Sequence, residues 1–348
     1  MKKVAVGLPG IARAVNVEER YEYEMEGLRG VAEILEIDAP SGADFARGAA
    51  DADAVITSWG IRITADVIAG LKRCQVIGVG SVGVDMVDVD AATRAGIVVT
   101  NVPDVFIEEV ADHTMMLVLA AARRVTEMDE MVRGGRWFEG RPLLSTMPRF
   151  WGQTLGLLSF GNVATAVARR AQPFGFRVIA HDPYVTELKM TAEGVEPVSL
   201  GELLARSDYL SIHPPHNAET HHMIGEREFA QMKQGVVFVN CGRGGAVDEE
   251  ALIRALDSGH VGSAGLDVLE QEPPDPENPL LSMKNVILTP HVASATSRMR
   301  PEARRRVGRE VALVLSGRWP MSAVNPSVLP RVDLERWQPF PMERGPNR

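Results

Sequence analysis

Three side chains that could act on one substrate each follow an apolar, strand-like run. Arg243 lies in Asn240-Cys241-Gly242-Arg243-Gly244-Gly245, Glu272 in Leu269-Glu270-Gln271-Glu272-Pro273, and His291 in Thr289-Pro290-His291-Val292. A guanidinium presents a planar fork of donors that can grip a carboxylate and its neighbouring carbonyl. An imidazole can give or take a hydroxyl proton near neutral pH. A carboxylate beside it orients the ring and favours its protonated form. Hydride transfer at C2 of a 2-oxo acid needs such a set. Singly, each is an ordinary loop residue, and a lone His after a strand is usually a satisfied hydrogen-bonder. All three at the strand ends of one nucleotide-type sheet make a candidate site.

The stretch that must position them runs from Thr154 to Asp182, TLGLLSFGNVATAVARRAQPFGFRVIAHD. Leu155–Phe160 is long enough for one buried strand, and 162–172 has helical periodicity. Pro173 and Gly175 end that helix, and Phe176–Ala180 is a second strand closed by Asp182. This is the order of a dinucleotide-binding βαβ unit. Gly161, Asn162 and Val163 open the helix, where free N–H groups and the helix dipole attract a pyrophosphate. Asp182 lies 182 − 161 = 21 residues past Gly161, the spacing of an acid that binds the ribose diol and repels a 2′-phosphate. The expected cofactor is therefore NAD rather than NADP. Ser159 stands where a first Gly normally makes the tight turn, and Ala164 takes the third glycine position.

The chain has 348 residues, enough for two domains, and its 45% hydrophobic content is ample for cores. A net charge of −9, with arginines scattered, argues against nucleic-acid binding. Cys74 and Cys241 are far apart, which suits a reducing compartment, and no signal-like or membrane-length apolar run is present. A cytoplasmic location without a membrane partner is expected.

The fold class expected is α/β: two Rossmann-like, doubly wound parallel-sheet domains with an interdomain cleft. Residues 1–102 alternate short strands and helices, and Ile107–Arg133 reads as one long helix crossing between domains. Residues 103–297, with six strands, form the nucleotide domain. The final helix returns the chain to the first domain, so 1–102 and about 298–326 form one discontinuous domain. Residues 327–348, rich in Pro and Arg, are expected to be a loosely packed tail.

From about Ala52 to Pro320 the chain resembles the D-2-hydroxyacid dehydrogenase family, which includes glyoxylate/hydroxypyruvate reductases, phosphoglycerate dehydrogenases and the C-terminal binding proteins. The matching stretches include Ser81-Val82-Gly83-Val84-Asp85, Glu108-Glu109-Val110-Ala111-Asp112-His113, the βαβ unit, Arg243-Gly244-Gly245, Gly265-Leu266-Asp267-Val268 and Thr289-Pro290-His291. The resemblance implies a catalytic set of Arg243, Glu272 and His291, with Arg243 and His291 also on the substrate. It implies a carboxylate-binding backbone loop at Ser81, Val82 and Gly83, where N–H groups can form an anion nest. It places Asp267 on the nicotinamide carboxamide, Pro214, Cys241, Gly242 and Arg243 along the cofactor, and Thr114 near the nicotinamide end. Met86 and Ile107, like Ser159, depart from the family pattern without removing the Arg, Glu or His.

Other features yield less. His213, His216, His221 and His222 cluster in IHPPHNAETHHMI, but no Cys or acid completes a metal set, so a cofactor-flanking or surface loop is expected and no metal. Trp137, Phe150 and Trp151 fit a pocket cap, a core or a dimer face equally well. The long segment after Pro103 is a plausible homodimer surface. The reading from sequence is an NAD-dependent oxidoreductase interconverting a D-2-hydroxy acid and its 2-oxo acid. The alternatives are an NAD(H)-sensing scaffold akin to the C-terminal binding proteins, or a dehydrogenase of another small molecule.

Overall fold

The computed structural model describes residues 1–8, 20–57 and 61–337. The chain divides into two compact units, Met1–Val105 with Thr296–Arg348, and Phe106–Ala295.

The first unit is a five-stranded parallel sheet of β1 (Lys2–Leu8), β2 (Ala32–Asp38), β3 (Ala54–Thr57), β4 (Val76–Val79) and β5 (Val98–Thr100), in the order β2-β1-β3-β4-β5. Its central strands are covered on both faces, which is why they read as unbroken apolar runs rather than alternating ones. The helix at Gly42–Gly48 was not expected. It is short and glycine-flanked, yet Ser41 caps it and Phe45 and Ala46 bury its inner face. The helix Met299–Leu315 packs on β4 and on the helix Glu22–Leu28.

The segment after this helix is not loose as far as Trp337. Buried Asn325 accepts from the Val99 N–H at 2.8 Å and donates to the Ile97 carbonyl at 3.0 Å. Val328 is buried, and the Arg331 guanidinium donates to the carbonyls of Ala95, Leu71, Lys72 and Cys74. Five fixed donors suit Arg to gathering loop carbonyls, a role that Pro/Arg-rich composition does not reveal. The rest of the expected tail, 338–348, lies outside the described residues.

The second unit holds β6 (Thr154–Leu158), β7 (Arg177–His181), β8 (Glu196–Pro197), β9 (Tyr209–Ile212), β10 (Val236–Asn240), β11 (Val261–Leu266) and β12 (Val286–Leu288). All pair in parallel, in the order β12-β11-β10-β9-β6-β7-β8. The sheet thus has seven strands rather than six. The extra one is a two-residue edge strand that includes a proline, too short to leave an apolar signature. From β6 the chain builds outward one way through β7 and β8, then reverses through β9 to β12. Between β6 and β9 lies the switch point at which open α/β sheets take ligands, beyond the carboxyl ends of the strands.

The segment Ile107–Arg133 is two helices, Ile107–Ala122 and Val125–Arg133, broken at Arg124, whose φ is +51°. The first buries Ala111, Leu117, Val118 and Ala121; the second buries nothing. Apolar periodicity runs on through the break, so it left no trace in the sequence. No helix among the described residues is long and apolar enough to cross a membrane.

Candidate active site

The βαβ turn comes first because it defines where a nucleotide would lie. Gly161 is the N-cap of the helix Asn162–Ala171, and no side chain caps that first turn. Its N–H groups are orphan donors unless a ligand or water takes them. A Cβ built on Gly161 would meet nothing within 4 Å, so the approach to those donors is open. Asp182 binds the turn itself: one carboxylate oxygen accepts the Phe160 N–H and the other the Tyr184 N–H, each at 2.8 Å. It is partly exposed, and each oxygen keeps lone pairs for a ribose hydroxyl. Donor turn and acid fit a dinucleotide. Ser159, in the tight turn, has φ +68°, a left-handed conformation that the usual Gly adopts without cost.

Arg243, Glu272 and His291 follow β10, β11 and β12. His291 Nδ1 lies 2.7 Å from Glu272 Oε2. An ionised carboxylate only accepts, so Nδ1 carries the shared proton and Nε2 is left to exchange one. Burial alone would raise the Glu272 carboxyl. The His291 hydrogen bond and charge, the Leu269 N–H at 3.1 Å and the Arg243 charge outweigh it and hold the carboxyl below its ordinary range. That places Arg243 in the same electrostatic neighbourhood as the Glu272–His291 pair.

Close backbone approach sets this arrangement. A Cβ on Gly244 would lie 1.8 Å from the Leu269 carbonyl oxygen, so only glycine lets the Arg243 loop rest on the Glu272 loop. Asn240 braces the same loop, accepting the Gly242 N–H at 2.9 Å and donating to the Arg243 carbonyl at 3.0 Å. His291 itself has φ +53°, a strained conformation for a non-glycine residue. Its backbone N–H donates to the Asp267 carbonyl at 2.8 Å.

The Asp267 side chain organises the His291 loop. It is 2% exposed and accepts from Thr289 Oγ1 at 2.6 Å, Val292 N–H at 2.9 Å and Ala293 N–H at 2.8 Å. Since the Thr289 hydroxyl donates to Asp267, it accepts from His113 Nε2 at 2.9 Å. His113, Thr289 and Asn240 are supporting residues to which sequence reasoning assigned no role. Their one signal was position, beside or within the strand-end motifs.

The remaining expected cofactor residues are less open. Thr114 is fully buried, its hydroxyl donating to the Val110 carbonyl at 2.7 Å, which leaves little of it for a ligand. It also bonds the Cys241 thiol, which burial, the largest cause, pushes up to about 12, so Cys241 packs rather than reacts. Pro214 is buried just past β9. His213 before it is pulled down to about 4 by burial and stays neutral at pH 7. His216 Nε2 and His221 Nδ1 are 3.2 Å apart, His221 and His222 stack at 4.0 Å, and His222 pairs with Glu270 at 2.7 Å. Among the described residues no group of three or more His, Cys, Asp or Glu side chains could hold a metal ion.

In the first unit, Ser81, Val82 and Gly83 follow β4. The Ser81 carbonyl accepts the Val102 N–H, the Val82 carbonyl accepts Asn101 Nδ2 and the Gly83 carbonyl accepts Ser81 Oγ. These bonds fix the loop through its carbonyls.

A family model described as D-isomer specific 2-hydroxyacid dehydrogenase, NAD binding domain, matches residues 115–293. The chain belongs to that family. Its matched domain is the one that serves NAD, and both parallel sheets are of the kind found in solved 2-hydroxyacid dehydrogenases. The glyoxylate reductase of Korarchaeum cryptofilum is 38% identical over 315 residues, covering 88% of this chain and 95% of that protein. A D-3-phosphoglycerate dehydrogenase of Methanocaldococcus jannaschii is 39% identical over 83% of this chain, but the chain spans only 55% of its length. Among solved structures, a glyoxylate reductase from Paecilomyes thermophila matches with a TM-score of 0.81 at 31% identity, covering 94% of this chain and 99% of that one. A D-lactate dehydrogenase from Aquifex aeolicus, complexed with NAD and lactic acid, matches with a TM-score of 0.78 at 27% identity, covering 91% of this chain and 96% of that one.

Proposed function

We propose that this chain is an NAD(H)-dependent 2-oxo acid reductase, interconverting glyoxylate, hydroxypyruvate or a similar small 2-oxo acid with the D-2-hydroxy acid. The observation that carries the proposal is the 2.7 Å His291–Glu272 pair, with the Arg243 charge acting on it, at the strand ends of an NAD-binding domain. Bound there, the nicotinamide supplies or accepts the hydride. Gly161, Asn162 and Val163 take the pyrophosphate and Asp182 the ribose diol, which favours NAD over NADP. Arg243 holds the substrate carboxylate and carbonyl, and the backbone N–H groups of Ser81, Val82 and Gly83 are of a kind that binds a carboxylate.

In reduction, His291 Nε2 donates its proton to the carbonyl oxygen; in oxidation it takes the hydroxyl proton. Glu272 keeps Nδ1 protonated and stabilises the imidazolium that the acid step requires. Asp267 holds the loop that carries His291 and stands closest to the carboxamide role. Pro214, Cys241, Gly242 and Thr114 shape the nicotinamide side by packing.

We further propose that the protein is a homodimer. Val125, Val132, Trp137, Phe138 and Trp151 are large apolar residues exposed within one stretch of the second unit, which a partner copy could cover. The buried, free Cys74 and Cys241 fit a reducing, cytoplasmic setting.

The test is NADH oxidation against glyoxylate, hydroxypyruvate and longer 2-oxo acids. His291→Ala is expected to lower kcat by roughly 10²–10⁴, the usual share of a positioned acid–base group. Wild-type rates in that variant would overturn the proton role. Asp182→Ala is expected to weaken NADH more than NADPH, and equal losses would overturn the cofactor preference.

A further inference from the structure

In the first unit, two successive carbonyls of the Ser81–Gly83 loop are anchored toward the same segment. The Ser81 carbonyl accepts the Val102 N–H at 3.0 Å, and the Val82 carbonyl accepts Asn101 Nδ2 at 2.7 Å. In a planar trans peptide the N–H points opposite to the C=O. The N–H groups of Val82 and Gly83, which share those two peptide units, therefore both face away from residues 101–102. Among the described residues neither donates to a protein acceptor. Successive N–H groups turned the same way make an anion-binding concavity. The Val102 bond is a backbone bond that any residue except proline keeps. The Val82 bond depends on one side chain, so Asn101 fixes how the Gly83 N–H is aimed.

Asn101 is in turn held by the chain that returns after the helix Met299–Leu315. β5 is an edge strand, and this chain lies along it: Thr100 forms an antiparallel bridge with Ala323, and the Val324 N–H donates to the Val99 carbonyl at 2.8 Å. Ser322 Oγ donates to the Asn101 carbonyl at 2.6 Å, which leaves it to accept from Thr100 Oγ1 at 3.1 Å. Glu310, 1% exposed, accepts the N–H groups of Met321 at 2.8 Å and Ser322 at 3.3 Å, and Arg306 lies 2.9 Å from its other oxygen. A buried carboxylate with a cation beside it thus pins Ser322, Ser322 pins Asn101, and Asn101 pins the loop.

We propose that Asn101 is a positioning residue for the substrate carboxylate, aiming the Gly83 N–H, and that Ser322 and Glu310 extend this control to the segment after the helix Met299–Leu315. The inference rests on the reading of the Ser81–Gly83 loop as a carboxylate site given above.

The experiment compares full-length wild type, Asn101→Ala, Ser322→Ala and Asn325→Ala in two assays. One is steady-state reduction of glyoxylate and hydroxypyruvate by NADH. The other is calorimetric titration of the NADH-loaded protein with oxamate, a 2-oxo acid analogue whose amide carbonyl is not reduced. Asn101→Ala is expected to raise KM for the 2-oxo acid and Kd for oxamate about 3–10-fold, the share of one neutral hydrogen bond. Its kcat and its KM for NADH should stay within about twofold of wild type, because the lost binding is common to ground and transition states. Ser322→Ala should move both constants the same way by about 2–3-fold, and it decides the matter if Asn101→Ala does not fold. Asn325→Ala is the structural control. It removes bonds to Val99, Ile97 and Thr93 on the same strand and the helix before it, so it should lower Tm while leaving KM and Kd unchanged. An equal rise in Asn325→Ala would mean general loosening and overturn the proposal. Unchanged KM and Kd in Asn101→Ala would overturn it too, while wild-type turnover leaves the reductase reading standing. A wild type that binds oxamate more tightly than Asn101→Ala but reduces no 2-oxo acid would overturn the reductase reading and support the positioning role. A wild type that does neither would overturn both.

Discussion

Ser159→Gly tests whether the nucleotide turn stores backbone strain. Ser159 has φ +68° between β6 and the helix Asn162–Ala171. Its backbone N–H donates to the His181 carbonyl at 2.8 Å, a bond any residue keeps, and its side chain makes no hydrogen bond among the described residues. Holding a Cβ in the left-handed region costs roughly 1–2 kcal/mol. Glycine removes that cost but loses about 0.5–1 kcal/mol more in chain entropy on folding. The net expectation is a gain of about 0–1.5 kcal/mol, centred on about 0.75 kcal/mol, or roughly 2–3 °C in Tm for a unit of this size. Ser159→Ala is the control, since it keeps the Cβ and therefore the strain. Urea unfolding of the three proteins, with and without NADH, measures the effect. If Ser159→Gly is no more stable than Ser159→Ala, the turn is not strained and its serine is an ordinary substitution.

Two further outcomes follow from the acid–base centre. Glu272→Gln should lower kcat/KM for 2-oxo acid reduction by about 10²-fold and move the alkaline limb of the pH profile to lower pH, because the imidazolium loses its counter-charge. The Glu272 carboxyl is lowered in the folded state, so its stabilisation is present above the ordinary glutamate range and fades as pH falls through the folded value. The difference in Tm between wild type and Glu272→Gln should therefore shrink from pH 6 toward about pH 3; a constant difference would refute the charge argument. Gly244→Ala should cost roughly 2–4 kcal/mol in urea unfolding and lower kcat, because its methyl would need the space 1.8 Å from the Leu269 oxygen. A neutral result would mean that the Arg243 loop is not braced by that contact.

The local rules of the chain were legible in its order. Apolar runs between turn residues marked the strands, the run-turn-helix-run-acid series from Thr154 to Asp182 marked a nucleotide turn, and strand-end position singled out Arg243, Glu272 and His291. These features are properties of neighbouring residues, set by periodicity and turn chemistry. The break at Arg124, the strand Glu196–Pro197 and the ordering of Arg331 left no such pattern, because each depends on what packs nearby. The same holds for the site. Residue types named the chemistry, but only the fold brings Glu272 against His291 Nδ1, lays Gly244 on Leu269 and commits Asp267 to the His291 loop. Sequence settles which groups can donate, accept or bend; which of them meet is decided by the sheet, through contacts between residues far apart in the chain.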